Sequence, residues 1–254
     1  MRRIYGVFRV RRKMLAAVGI LLLAVSILPG LPRPDRQAAA YRERLPIYSV
    51  NTAQKAMALG INCAWDNADI PLLIEILGTH NVTATFFVSG SWCKKFPQSV
   101  KALYDAGHEI ASHSNTHADL TTLSKAEIQQ EIRLCNEKIK AITGVVPTLF
   151  RAPSGAHSPL VVQTVLEEGL LPIQWDCDSL DYRDPTPQEI CARIQSGMQP
   201  GSIALFHSGA KNTPAALPLV IEMARGQGYD VVSVSELVYP APYALDHAGR
   251  QSKA

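Results

Sequence analysis

Two histidines separated by three residues, His113 and His117, carry the clearest metal-binding pattern in this 254-residue chain. The residues between them are small and polar, so both imidazoles can project in one direction from a single turn of helix. Two neutral imidazoles at this spacing can bind one divalent metal ion, of which zinc is the common example. The pattern has no flanking carboxylate, so a pair of solvent-facing loop histidines is the alternative at this point.

The elements around this pair predict a position at the end of a strand. Residues 107–111 are expected to form a short strand that leads into His113. In α/β sheets and barrels, the residues that perform chemistry follow the carboxyl ends of the strands. The two histidines are therefore expected at a functional edge.

The rest of the chain alternates between strand and helix patterns. Strands are expected near residues 56–62, 84–88, 109–111, 148–150, 171–175, 202–206 and 229–234, with helices between them. The helix over 125–143 opens with a capping box formed by Ser124 and Glu127. Seven strand–helix units in strict alternation predict an α/β fold with a parallel sheet, which could also close as an irregular barrel.

Polar and ionisable residues follow most of these strands. The first is followed by Trp65 and Asp66, the third by the histidine pair, and the sixth by His207. The fourth and fifth strands lead into two further polar runs, 151–155 and 176–182. A random scatter of solvated residues would not favour the same end of each strand, so these residues are expected to form one site.

The first residues of the chain predict a membrane anchor. Six basic residues lie within positions 2–13, and the apolar run 14–28 follows them. This order is typical of an export signal or an uncleaved anchor, and the positive-inside rule orients the body of the chain outside the cytoplasm. We expect a cytoplasmic segment and anchor at 1–31, a linker at 32–50, one catalytic domain at 51–240 and a disordered tail at 241–254.

Charge and cysteine content exclude some functions. The net charge is +3, and without the basic N-terminal cluster the remainder is slightly acidic, which does not suggest a nucleic-acid partner. The five cysteines include no C-x-x-C pair, so a thiolate metal site is not expected.

Taken together, the motifs resemble those of the polysaccharide deacetylases, the NodB-homology family of carbohydrate esterases. The resemblance extends from about Lys55 to Tyr239 and is nearest to the membrane-anchored, sporulation-type members of spore-forming bacteria. The motifs that carry it are Ala84-Thr85-Phe86-Phe87, Gly107-His108-Glu109-Ile110, Ser112-His113 to His117, Arg151-Ala152-Pro153-Ser154-Gly155, Asp178-Ser179-Leu180-Asp181-Tyr182 and Leu205-Phe206-His207.

The resemblance implies a distorted (β/α) barrel that hydrolyses N-acetyl groups on the amino sugars of a cell-wall or spore-cortex glycan. One divalent metal ion, often zinc, would be held by an aspartate together with His113 and His117. It would polarise the acetyl carbonyl and bind the attacking water. An aspartate on the first strand would act as the base, and Arg151 would steady it.

The same resemblance assigns the remaining roles. His207 would protonate the leaving amine, with its pKa set by Asp181. The backbone N–H beside Ser154 would help to hold the oxyanion. Tyr182 takes the place of the family's usual tryptophan on the wall of the acetyl pocket, and Trp65 and Leu205 complete the expected substrate-binding side chains.

The first strand departs from the family pattern, in which two aspartates follow one another. Here Asn62 occupies the position of the base and Cys63 that of the metal-binding aspartate. An amide cannot accept a proton at neutral pH. The departure therefore puts the catalytic step in question.

Three explanations are compatible with the sequence. Asp66 or Asp69 could supply the missing carboxylate as metal ligand or base. A slipped register could make Trp65-Asp66-Asn67 the true motif. The protein could also be a degenerate deacetylase that binds glycan without turnover. We expect the first, with reduced or rearranged catalysis through a metal-bound water; the alternative use of both aspartates is to cap the helix that begins near Pro71.

Overall fold

The computed structural model describes residues 45–254, and within them the predicted α/β alternation is confirmed. The strands are β1 (Ser49–Val50), β2 (Ala56–Cys63), β3 (Thr85–Val88), β4 (Glu109–Ser112), β5 (Leu149–Phe150), β6 (Leu171–Pro172), β7 (Cys177–Asp178), β8 (Ser202–His207), β9 (Asp230–Val232), β10 (Tyr243–Leu245) and β11 (Arg250–Lys253). The helices are α1 (Ile70–Thr79), α2 (Gly90–Lys95), α3 (Pro97–Asp105), α4 (Lys125–Thr143), α5 (Pro159–Glu167), α6 (Pro187–Gly197), α7 (Thr213–Gly226) and α8 (Val234–Leu237).

The parallel strands form the curved sheet of a partial barrel, in the order β8-β2-β3-β4-β5-β6. Strand β2 lies between β8 and β3 and is buried along its whole length. Its register places Asn62 beside His207 of β8 on one side and Phe87 of β3 on the other. The carboxyl ends of these strands therefore meet at one rim, as expected.

Residues 47–50 connect the two edges of this sheet. The Ile47 N–H donates to the Pro172 carbonyl at 2.8 Å, and the Val50 N–H donates to the Gly201 carbonyl at 2.8 Å. Residues 45–50 therefore belong to the folded domain, and the predicted linker boundary at residue 50 is wrong for them. The local sequence gave no signal of this pairing, because both partner residues are more than 100 residues away along the chain.

The predicted disordered tail at 241–254 is also wrong. Strands β10 and β11 form an antiparallel pair, and β11 extends the sheet by pairing in parallel with β1. The buried Gln251 side chain donates to the Tyr239 carbonyl at 2.7 Å and accepts from its N–H at 2.8 Å. These hydrogen bonds hold the tail against the domain. The tail is polar and has no apolar periodicity, so its sequence did not predict strands.

The two faces of β2 pack against different cores. Leu59, Ile61 and Cys63 belong to the larger cluster, which includes the buried faces of helices α1, α3 and α7. Ala58 belongs to a second cluster with Phe87 and Ala111 inside the barrel. Since successive strand residues point to opposite faces, Asn62 faces the barrel interior and Cys63 faces the helices.

Local capping explains where several helices begin. The predicted capping box at the start of α4 is present, and Gly144 ends that helix in the left-handed region at φ 79°. Helix α2 was not predicted, although Ser89 signals its start by accepting a hydrogen bond from the Trp92 N–H. The predicted fifth strand, 171–175, is shortened to β6, and a separate short strand, β7, follows it.

The predicted anchor at 1–31 and most of the linker lie outside the described residues. Between residues 45 and 254, no helix combines the length and apolar character that a membrane span requires. The anchor, the membrane partner and the extracytoplasmic location stay predictions.

Candidate active site

The two histidines of the central motif lie together at the end of β4. Their ring centroids are 5.0 Å apart, and both side chains line the same pocket. The turn that joins them is irregular, with Ser114 and His117 both at φ 65°, so the expected helical turn is wrong. The strained turn nevertheless achieves the juxtaposition that the spacing predicted.

His113 is held as a neutral imidazole with a defined tautomer. It is 1% exposed, and its Nδ1 lies 2.8 Å from the Arg151 carbonyl oxygen, which can only accept. Nδ1 therefore carries the proton and Nε2 keeps its lone pair. Burial, followed by the proximity of His117, lowers the pKa of His113 to about 3. Burial also lowers the pKa of His117.

Glu131 on α4 holds the turn between the histidines, and the sequence interpretation missed it. Its carboxylate accepts from the Ser114 hydroxyl at 2.5 Å, the Asn115 N–H at 2.9 Å, and the Thr116 N–H and hydroxyl at 2.8 and 3.0 Å. An available signal was its place in the apolar stripe of α4, next to the buried Ile128 and Ile132 in the helical repeat.

Replacing Glu131 with glutamine should lower the free energy of unfolding by about 2 kcal/mol at pH 7, since a neutral amide has one acceptor oxygen for several donors. Burial raises the pKa of Glu131, but the hydrogen bonds from Ser114, Thr116 and Asn115 outweigh it and the net shift is downward. The stabilisation should therefore be complete above the unfolded pKa near ~4.3 and fade as the pH falls through the lower folded pKa.

Thermal unfolding of both proteins between pH 3 and pH 7 measures this effect. Glu137→Gln, an exposed position on the same helix, is the matched control. A Tm difference that stays constant across the pH range would contradict the assigned role of the Glu131 carboxylate.

His207, at the end of β8, is oriented by the fully buried carboxylate of Asp181. Asp181 accepts from His207 Nδ1 at 2.8 Å, from the His207 N–H at 2.7 Å and from the Thr213 hydroxyl at 2.6 Å. The imidazole is stacked on Trp65 at 5.0 Å and contacts Tyr182 edge to face at 5.5 Å. With Nδ1 occupied, Nε2 is available to the pocket.

Asn62 and Arg151 form the floor of the site. Arg151 is fully buried, and its guanidinium donates to Asn62 Oδ1 at 3.0 Å and to the Gln174 carbonyl at 3.2 Å. It lies 3.9 Å from the Phe87 ring centroid, and no carboxylate among residues 45–254 forms an ion pair with it. Burial lowers the pKa of Arg151 to about 9.

Gly60 leaves the space that this arginine needs. A Cβ at that position would lie 2.5 Å from one guanidinium nitrogen of Arg151. A glycine is therefore required at this position, because a larger side chain would block the path of the Arg151 guanidinium to Asn62.

The structure does not bring the other expected carboxylates to the histidines. Asp69 accepts from the Gly209 N–H at 2.8 Å, and Asp66 accepts from the Asn67 N–H at 2.8 Å. Neither lines the pocket that contains His113 and His117. The expectation that Asp66 or Asp69 is the third metal ligand is therefore contradicted, and a slipped motif at Trp65-Asp66-Asn67 gains no support.

The side chains of Asp69 and Cys63 are both held away from the histidine pair. Asp69 occupies the N-cap position of α1, but its side chain bonds to the loop after β8 rather than capping the helix. Burial raises the pKa of Asp69. The Cys63 side chain is buried on the helix side of β2, and burial raises its pKa to about 12.

The donor set present does not fit the three-ligand metal site of the resemblance. In the part of the chain that the structure describes, no group of three His, Cys, Asp or Glu side chains is placed to hold a metal ion. His113 and His117 supply two neutral nitrogens, while the nearest first-strand side chain is the amide of Asn62.

These residues enclose a pocket of about 300 Å³. Most of the predicted site residues line it, and Arg151 and Asp181 lie behind them against Asn62 and His207. Trp175 and Asp178 line it although they were given no role from the sequence; both follow β6, where polar residues were expected. The lining is Asn62, Trp65, His113, His117, Ser154, Trp175, Asp178, Tyr182, Leu205 and His207.

Comparison with known proteins gives consistent matches. Residues 49–172 match the family model described as polysaccharide deacetylase. The chain is 32% identical to the uncharacterized protein YlxY of Bacillus subtilis (strain 168), covering 76% of this chain and 60% of YlxY. It is 31% identical to the peptidoglycan-N-acetylmuramic acid deacetylase PdaA of the same organism, covering 76% of this chain and 74% of PdaA.

Among solved structures, BA3943 of Bacillus anthracis superposes with a TM-score of 0.74 at 35% identity, covering 76% of this chain and 68% of that one. BA3943 is described as a family 4 carbohydrate esterase pseudoenzyme, and a mutant of it as having restored enzymatic activity.

Proposed function

Since the chain belongs to the polysaccharide deacetylase family, we propose that its pocket binds an N-acetylated amino-sugar glycan of the cell wall without hydrolysing it. The observation that carries this proposal is the hydrogen bond from Arg151 to the Asn62 side-chain oxygen. It shows a neutral amide where the resemblance expects the base, and an amide cannot take a proton from water at neutral pH.

The composition of the site supports binding over turnover. General-base catalysis requires a proton acceptor of suitable pKa within reach of the nucleophile. His113 is too weakly basic for this role, because its pKa is lowered to about 3, and the family pattern gives His207 the opposite role, that of the general acid for the leaving amine. The relatives add support: PdaA is named for a peptidoglycan substrate, and BA3943 is described as a pseudoenzyme.

The pocket wall has the surfaces that sugars use. Trp65 and Tyr182 are large aromatic residues that remain 49% and 42% exposed on either side of His207. Aromatic side chains combine a flat apolar face with little loss of conformational entropy on binding. We assign to them the packing against a pyranose ring, and to the Ser154 loop a polar contact with the acetyl group.

Isothermal titration with an oligomer of four N-acetylglucosamine residues tests the binding. Trp65→Ala should weaken binding about tenfold, as expected for an aromatic contact residue. Tyr104→Ala, which removes an exposed aromatic residue outside the lining of this pocket, is the control. Absence of heat with the wild-type protein, or equal affinities for all three proteins, would overturn the proposal.

Hydrolysis of N-acetyl groups with a divalent metal, zinc being the expected ion, is the second candidate function. It is favoured by the intact pair of His207 and Asp181, which is the arrangement required of a general acid. It requires a carboxylate that this site lacks, so we place it second.

A further inference from the structure

The orientation of the Asn62 side chain follows from hydrogen-bonding chemistry. A guanidinium has only donors, so the Asn62 atom at 3.0 Å from Arg151 must be the carbonyl oxygen. The NH₂ group then points away from the guanidinium. Asn62 lines the pocket, and no hydrogen bond from its NH₂ to another residue within 45–254 is formed. This edge of the pocket therefore offers N–H donors, where an aspartate would offer acceptors.

His113 supplies the opposite function in the same pocket. Its Nδ1–H is used by the Arg151 carbonyl, so the Nε2 lone pair is the free acceptor. An N-acetyl group has one carbonyl acceptor and one N–H donor. Asn62 and His113 together offer one partner for each of these groups.

A deacetylated amino sugar does not match the hydrogen-bonding groups at the floor of the pocket. Its ammonium group has donors only and cannot use the Asn62 NH₂. It would also approach the buried Arg151 guanidinium, for which no carboxylate partner exists within the described chain. Two like charges in a poorly solvated region repel each other more strongly than in water.

From these contacts we propose that Asn62 is a specificity-determining residue, through which the pocket selects glycan with an intact N-acetyl group over glycan with a free amine. In this role the protein binds a glycan according to its acetylation state and does not change that state. The inference rests on the proposed glycan binding and names the group that the binding recognises.

Two carboxylates near the pocket would favour binding of an ammonium group. Asp178 lines the wall, where its Oδ1 accepts from the Leu180 N–H, and Asp181 is buried behind His207 with three donors. Both are unchanged when residue 62 is substituted. A comparison of variants at residue 62 therefore isolates the contribution of its amide.

The experiment compares two tetramers by isothermal titration at pH 6 in EDTA, one fully N-acetylated and one fully deacetylated. The wild-type protein should bind the acetylated tetramer at least ~10-fold more tightly, equivalent to one good hydrogen bond to a charged or buried partner. Asn62→Asp should reduce this ratio to about one or invert it, because a carboxylate accepts from the ammonium and repels the carbonyl.

Asn51→Asp introduces the same chemical change at an exposed position and should leave the ratio unchanged. Equal wild-type affinities for the two tetramers, or a ratio that Asn62→Asp does not alter, would overturn the selection by Asn62 while leaving glycan binding intact. Absence of binding of either tetramer would overturn glycan binding itself. The wild-type ratio provides a test even if a variant fails to fold.

Discussion

Replacing Asp181 with alanine is expected to lower the free energy of unfolding by about 3–5 kcal/mol and to release the His207 ring from its fixed orientation. The carboxylate is fully buried and accepts from two His207 N–H groups and the Thr213 hydroxyl. Its removal leaves buried donors without an acceptor and adds a small cavity. Few single substitutions in this chain should have a larger effect.

Urea unfolding measures the change in stability, and ¹⁵N NMR of the imidazole reports whether Nδ1 still carries the proton. Asp178→Ala is the matched control on the same loop, since the Asp178 side chain is partly exposed and, among the described residues, accepts only from the Leu180 N–H. A loss of less than 1 kcal/mol for Asp181→Ala, or an unchanged imidazole tautomer, would contradict the role given to Asp181.

Substitutions of Asn62 should change stability in opposite directions. Asn62→Leu removes the side-chain oxygen that Arg151 contacts and leaves a buried guanidinium with the Gln174 carbonyl as its remaining hydrogen-bond acceptor. We expect a cost of about 3 kcal/mol, comparable to that of breaking a buried pair. Asn62→Asp supplies a counter-charge at the same position and should raise stability by about 1 kcal/mol at neutral pH.

A double-mutant cycle tests whether the effect acts through Arg151. Combining Asn62→Leu with Arg151→Met should recover most of the lost stability, because the uncompensated charge is removed together with its partner. Urea unfolding of the four proteins gives the coupling energy. Additive costs in the double variant would show that Asn62 and Arg151 act independently, against this account.

The architecture was readable from the sequence because it is encoded by local patterns. Alternating apolar runs predicted seven of the parallel strands, β2 to β6, β8 and β9, and the Ser124–Glu127 capping box predicted the start of α4. The strands at the two ends of the domain could not be predicted from such local patterns. Strands β1 and β11 pair residues such as Ser49 and Arg250, and neither short segment has a periodicity that predicts this partner.

The site was predictable where strand ends alone determine position. Asn62 and His207 lie at the carboxyl ends of β2 and β8, and His113 directly follows β4 of the same parallel sheet, so their convergence followed from the fold. Asp69 was misjudged because the loop after β2 directs its carboxylate to the Gly209 N–H, which only the tertiary structure reveals. The orientation of Cys63 could have been predicted, since strand alternation alone places it on the face opposite Asn62.

We propose that this deacetylase fold does not hydrolyse its ligand, because Asn62 occupies the position of the carboxylate that hydrolysis requires. The most direct measurement is acetate release from N-acetylglucosamine oligomers by the wild-type protein, supplied with a divalent metal such as zinc. We expect no acetate above the level without protein. Acetate release that depends on the metal and disappears in His113→Ala would contradict it.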